Sequence, residues 1–165
     1  VATYSLELFR AIEDIDVAYV PIGLGSGICG MVSACRALKL NTEIVGVVSS
    51  HARAYLLSFA GDRSVESPVS TRLADGMACR KPHGEALEII RREVDRIVEV
   101  SDSEIAEAMR VLFECTHNTC EGAGAASLAA AMQEKQRLKD RRVAVVISGG
   151  NIDRDMFAGV LSEKF

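Results

Sequence analysis

Val20-Pro21-Ile22-Gly23-Leu24-Gly25-Ser26-Gly27-Ile28-Cys29-Gly30 is a β-branched run that turns abruptly into glycines and then into a helix. A strand feeding a glycine loop and a helix N-terminus presents unpaired backbone N–H groups at the positive end of a helix dipole, and that geometry binds phosphate. Residues 25–30 also match the dinucleotide pattern G-x-G-x-x-G, which alone is a weak signal. A dinucleotide needs an acidic residue near the end of the next strand to hold the ribose hydroxyls. The next strand, Thr42 to Ser49, carries Glu43 at its start and ends in Val48 and Ser49. A single phosphate on a smaller cofactor is therefore the better reading.

Around this stretch the periodicity alternates between strand and helix. Thr3 to Ile12 reads as a helix, Val17 to Ile22 as a buried strand, and Gly27 to Leu38 as a helix with Ile28, Met31, Val32 and Cys35 at helical spacing. Strands follow at Glu43 to Val48, Arg96 to Val100 and Arg142 to Ile147. Helices are expected over His51 to Phe59, Glu85 to Val94, from a Ser101 or Asp102 cap through Phe113, over Glu121 to Met132, and after Asn151. Gly61 to Ser70 is the one candidate flexible loop. The pattern predicts one α/β domain over residues 1–165, an open, mostly parallel twisted sheet with helices on both faces. In such a sheet ligands bind beyond the carboxyl ends of the strands. Three glycine-bearing turns can share that end: Gly23 to Gly27, Ser70 to Gly76, and Ser148-Gly149-Gly150-Asn151.

Composition narrows the class of function. The 165 residues are 48% hydrophobic, 25% charged and carry a net charge of −4, with no basic block to meet nucleic acid or an anionic membrane. No apolar run reaches the roughly 20 residues of a membrane span, and no signal peptide is evident. The five cysteines form no Cys-x-x-Cys pair and point to a reducing, cytoplasmic setting. Cys115, His117 and Cys120 lack the spacing and the fourth ligand of a zinc knuckle, so no metal is expected. Val1 opens the chain inside the first helix, as in a piece of something longer.

The segments Pro21 to Gly30, Ala74-Asp75-Gly76, Glu121-Gly122-Ala123-Gly124-Ala125 and Ser148 to Asn151 fall in the order and spacing of the C-terminal half of threonine dehydratase. The sequence thus resembles a pyridoxal-5′-phosphate family of the tryptophan synthase β-like class, fold type II, along essentially its whole length. The usual tetraglycine loop reads Gly-Leu-Gly-Ser-Gly here, and the usual Glu-Pro-Ser-Gly-Ala reads Glu121-Gly122-Ala123-Gly124-Ala125. The divalent-cation carboxylates of the serine racemase branch would fall at Val48 and Ala54, so that site should be absent.

The resemblance implies that Gly23, Leu24, Gly25, Ser26 and Gly27 hold the cofactor phosphate through backbone N–H groups. It implies that Ser148 meets the pyridine nitrogen and that Gly76 passes its backbone against the ring. Glu121 either lines the pocket near the ring or caps the following helix. A neutral hydroxyl at Ser148 leaves the ring unprotonated and a weaker electron sink, which favours β-elimination. The lysine that anchors the cofactor in this family lies in a Ser-x-Lys-x-Arg-Gly segment, and none of Lys39, Lys81, Lys135, Lys139 or Lys164 has that context. The chain is therefore expected to carry no catalytic residue of its own and to be inactive alone.

The implied activity of the complete enzyme is deaminating dehydration of L-threonine to 2-oxobutanoate and ammonia, with serine giving pyruvate. The expected partners are a small amino-acid substrate and further copies of the same chain, with neither nucleic acid nor membrane. Because the chain ends at Phe165, no ACT regulatory domain is expected. A serine racemase, another hydroxyamino-acid lyase, a non-catalytic phosphate- or nucleotide-binding module and a ligand-free structural fragment remain as alternatives.

Overall fold

The computed structural model describes residues 1–164. Phe165, on which the expectation about a following domain rests, lies outside them. Four parallel strands, β1 (Val17–Pro21), β2 (Glu43–Ser49), β3 (Arg96–Val100) and β4 (Val143–Val145), stand in the order β3-β2-β1-β4. Helices α1 (Ala2–Ala11), α2 (Ser26–Ala37), α3 (Ala54–Ala60), α4 (Gly84–Glu93), α5 (Asp102–Thr116), α6 (Gly122–Gln133) and α7 (Arg154–Leu161) connect or flank them, with one 3-10 turn at Asp75–Met77. The strand alternation sorts the core into two. Val17, Tyr19, Val45 and Val47 pack against α5 and α6, while Ala18, Val20, Ile44 and Val48 pack against α2 and α4. Both faces of the sheet are covered, as the apolar runs require.

The chain leaves β1 toward β2 on one side and returns from β3 to β4 on the other. The strand order therefore reverses at β1, and a crevice opens beyond the carboxyl ends of β1 and β4. Sequence and structure differ at its walls. The strand expected from Arg142 to Ile147 pairs only over Val143–Val145, with one further bond from the Val146 N–H to the Tyr19 carbonyl at 3.2 Å. Beyond it, β1 and β4 part. The helix expected from His51 begins at Ala54, because His51 and Ala52 first form a turn on Ser49, their N–H groups meeting its hydroxyl at 3.1 Å and its carbonyl at 2.9 Å.

Ser101, and not Asp102, caps α5: its hydroxyl accepts the Glu104 N–H while the Glu104 carboxylate accepts the Ser101 N–H at 2.7 Å. The helix runs on past Phe113 to Thr116. Asp102 instead reaches back, accepting the Thr71 hydroxyl at 2.7 Å and the Arg72 N–H at 2.8 Å. It thereby fixes the turn that carries Asp75 and Gly76. The Gly61 to Ser70 loop is tied down as well. Arg91 donates to the carbonyls of Ser58, Gly61 and Arg63, and the Val65 N–H reaches the Ser58 hydroxyl at 2.8 Å.

At the amino end of the sheet Glu43 is held by Arg96, Arg137 and Arg141. Arg96 also pairs with Glu134, whose carboxylate accepts the Tyr19 hydroxyl. Burial first, then the neighbouring Glu134, pushes the Tyr19 hydroxyl up to about 12. Glu43 is therefore engaged at the end of the sheet remote from the glycine loop, where it can meet no ribose. No helix among the described residues is long and apolar enough to cross a membrane.

Candidate functional site

A cavity of about 710 Å³ fills the crevice between the ends of β1 and β4. Gly23, Leu24, Gly25, Ser26, Gly27, Gly76, Glu121 and Ser148 all line it. Residues from three separate turns and from the start of α6 thus meet in one place, with Val145, Val146 and Ile147 as an apolar wall. The volume falls within the several hundred Å³ typical of small-molecule sites.

The loop after β1 lines the cavity along residues 23–27. Gly25 adopts a left-handed φ of 98° that an L side chain rarely tolerates. Its carbonyl accepts the Cys29 N–H at 3.0 Å as the first helical bond of α2. The N–H groups of Leu24, Gly25, Ser26 and Gly27 donate to no protein acceptor among the described residues. They stand open at a helix start, the arrangement suited to phosphate. Two tyrosines brace the loop, Tyr4 from the cavity wall and Tyr55 from outside the cavity. The Tyr55 hydroxyl donates to the Leu24 carbonyl at 2.8 Å, and the Tyr4 hydroxyl donates to the Gly27 carbonyl at 3.1 Å. Both lie far from the loop in sequence and carry no local signal.

Close backbone approach builds the remaining walls. A Cβ on Gly23 would stand 2.4 Å from the Gly76 carbonyl oxygen, and one on Gly124 would stand 2.5 Å from the Gly149 oxygen. Such distances leave no room for a side chain at either position. Glu121 has two uses open to it. Its backbone begins α6, but its side chain makes no capping hydrogen bond, and the carboxylate lies over Gly149, where a Cβ would come within 2.5 Å of Oε1. Glu121 also lines the cavity. The Ser148 hydroxyl has no protein partner among the described residues and lies exposed at the cavity wall.

None of the five lysines lines this cavity; Lys39 lines a separate one at the opposite end of the sheet, with Asp14, Asp16 and Arg141. Three of the five cysteines, Cys35, Cys79 and Cys120, are buried, and burial pushes the Cys120 thiol up to about 11. His117 ends α5 in a left-handed conformation with Nδ1 3.2 Å from the Phe113 carbonyl oxygen.

The family described as "Pyridoxal-phosphate dependent enzyme" matches residues 1–149. L-threonine ammonia-lyase of Thermotoga maritima is 34% identical over 161 residues, covering 98% of this chain and 40% of that protein. The catabolic L-threonine dehydratase TdcB of Escherichia coli strain K12 is 35% identical over 153 residues, covering 92% of this chain and 46% of that one. Among solved structures, the processed form of threonine deaminase isoform 2 from Solanum lycopersicum superposes with a TM-score of 0.90 at 26% identity, over 98% of this chain and 48% of the other. Maize serine racemase gives 0.87 at 27% identity, over 99% and 52%. The chain spans about half the length of these proteins or less.

The cavity fits a phosphorylated pyridine in its chemistry. Unpaired amides on one wall suit a phosphate, an unpartnered neutral hydroxyl on another suits a ring nitrogen, and Gly76 adds bare backbone to the lining.

Proposed function

Because this chain belongs to the pyridoxal-phosphate-dependent enzyme family, we propose that it forms the phosphate- and ring-binding side of the cofactor site in a threonine ammonia-lyase. The reaction is deaminating dehydration of L-threonine to 2-oxobutanoate and ammonia, and of L-serine to pyruvate. The observation that carries this reading is the convergence of the glycine loop, Gly76, Glu121 and Ser148 on one cavity. Pyridoxal phosphate, when bound, supplies the electron sink that makes the α-proton of an amino acid labile.

The chain's own residues would do the rest of the holding. Amides of residues 23–27 bind the phosphate, and the Ser148 hydroxyl meets the pyridine nitrogen without protonating it. The backbone of Gly76 allows the ring to approach, and the Glu121 carboxylate supplies negative charge beside it. With no lysine on the cavity wall, the covalent anchor comes from elsewhere in the complete polypeptide, and the isolated chain is inactive.

A serine racemase reading is disfavoured by Val48 and Ala54, which are buried apolar residues where that branch would need carboxylates. Five free cysteines, three of them buried, suit a reducing cytoplasm. The test is an assay of ammonia and 2-oxo acid. The complete polypeptide should deaminate threonine only with pyridoxal phosphate present, and the isolated chain should release neither product. Turnover by the isolated chain, or none by the complete one, contradicts the proposal.

A further inference from the structure

The anion-binding loop is oriented by a residue that does not touch the cavity. Tyr55, on α3 and 1% exposed, donates its hydroxyl to the Leu24 carbonyl at 2.8 Å and accepts the His83 N–H at 3.1 Å. One hydroxyl therefore joins the loop after β1, helix α3 and the start of α4. The peptide unit is planar and trans, so the C=O of Leu24 and the N–H of Gly25 point to opposite sides. Drawing the carbonyl toward Tyr55 turns the Gly25 N–H away from it. Leu24 and Gly25 line the cavity and Tyr55 does not.

We propose that Tyr55 is a positioning residue of the phosphate cradle, its hydroxyl locking the Leu24–Gly25 peptide so that the N–H and not the carbonyl faces the anion. The contact is close: a Cβ on Gly25 would stand 3.0 Å from the Tyr55 oxygen and 2.7 Å from the Ala86 Cβ. Burial raises the pKa of Tyr55, so its hydroxyl keeps the proton it donates. Without that anchor the Leu24–Gly25 peptide is free to rotate, and a carbonyl dipole turned to the cavity would repel phosphate. The inference rests on the reading of this cavity as the site of pyridoxal phosphate.

The test uses the complete polypeptide and two ligands that differ only in the phosphate. Tyr55→Phe keeps the ring and removes the hydroxyl. Spectrophotometric titration should show its dissociation constant for pyridoxal phosphate raised about tenfold, the loss of one hydrogen bond to a charge-binding unit, with that for pyridoxal changed by less than about twofold. Retained binding of pyridoxal by Tyr55→Phe shows that the variant is folded. Equal weakening of both ligands by Tyr55→Phe, or no weakening at all, overturns the inference. Failure of the unmodified polypeptide to bind pyridoxal phosphate overturns instead the reading of the cavity.

Discussion

The carbonyl oxygen of Gly76 lies 2.4 Å from where a Cβ on Gly23 would stand, so the end of β1 and the turn before α4 press backbone against backbone. A methyl at residue 23 cannot be accommodated by moving a side chain. Gly23→Ala should cost about 1–3 kcal/mol of stability, as overpacking does, and should weaken binding of pyridoxal phosphate. Urea unfolding with and without the cofactor measures both, and an unchanged midpoint would show that the two backbones separate freely.

The capping box of α5 gives a pH signature. Burial opposes the charge on Glu104, but hydrogen bonds from the Ser101 amide and hydroxyl and from Gln133 outweigh it and hold the carboxyl below its usual 4.5. A depressed pKa contributes stability that is present above the unfolded value and lost as pH falls through the folded one. Glu104→Gln should therefore cost about 1 kcal/mol near neutrality, and the difference from the unmodified protein should shrink as pH drops below about 4.5. A difference that stays constant down to pH 3 would remove the charge from the account.

Arg96 joins Glu43 and Glu134 at the amino end of the sheet, away from the cavity. Arg96→Met should destabilise the fold by about 2–3 kcal/mol, because two largely buried carboxylates lose their shared partner. Cofactor affinity measured at a temperature where the variant is folded should not change. A large loss of affinity would mean that the two ends of the sheet are coupled.

The features legible in the sequence were those with local signatures. The alternation of Val17, Ala18, Tyr19 and Val20 marked a strand buried on both faces, and the glycines after it marked the loop. That Ser148 would stand at the cavity was legible because a Ser-Gly-Gly-Asn turn follows the apolar run of β4. What stayed hidden depends on contacts between distant residues. The Thr71–Asp102 and Tyr55–Leu24 bonds link segments 31 residues apart, and neither partner has an unusual neighbourhood in the chain. The strand end at Ile147 was misplaced for a physical reason. Val146 and Ile147 are apolar because they wall the cavity, and the sequence cannot separate that from pairing in the sheet.

Val48 and Ala54, where the resemblance would put the carboxylates of a racemase-type divalent site, are buried hydrocarbon. Magnesium restored after chelator treatment should leave threonine deamination by the complete polypeptide unchanged. A several-fold rise would assign the chain to the metal-activated branch.

The central claim is that the cavity between β1 and β4 holds pyridoxal phosphate, with Ser148 at the ring nitrogen. The dissociation constant of pyridoxal phosphate for Ser148→Ala in the complete polypeptide tests it most directly. Loss of the hydroxyl should leave the nitrogen without a partner and weaken binding by about 1–3 kcal/mol, roughly 5- to 150-fold. An unchanged constant would make Ser148 a turn residue only and take the cofactor out of this cavity.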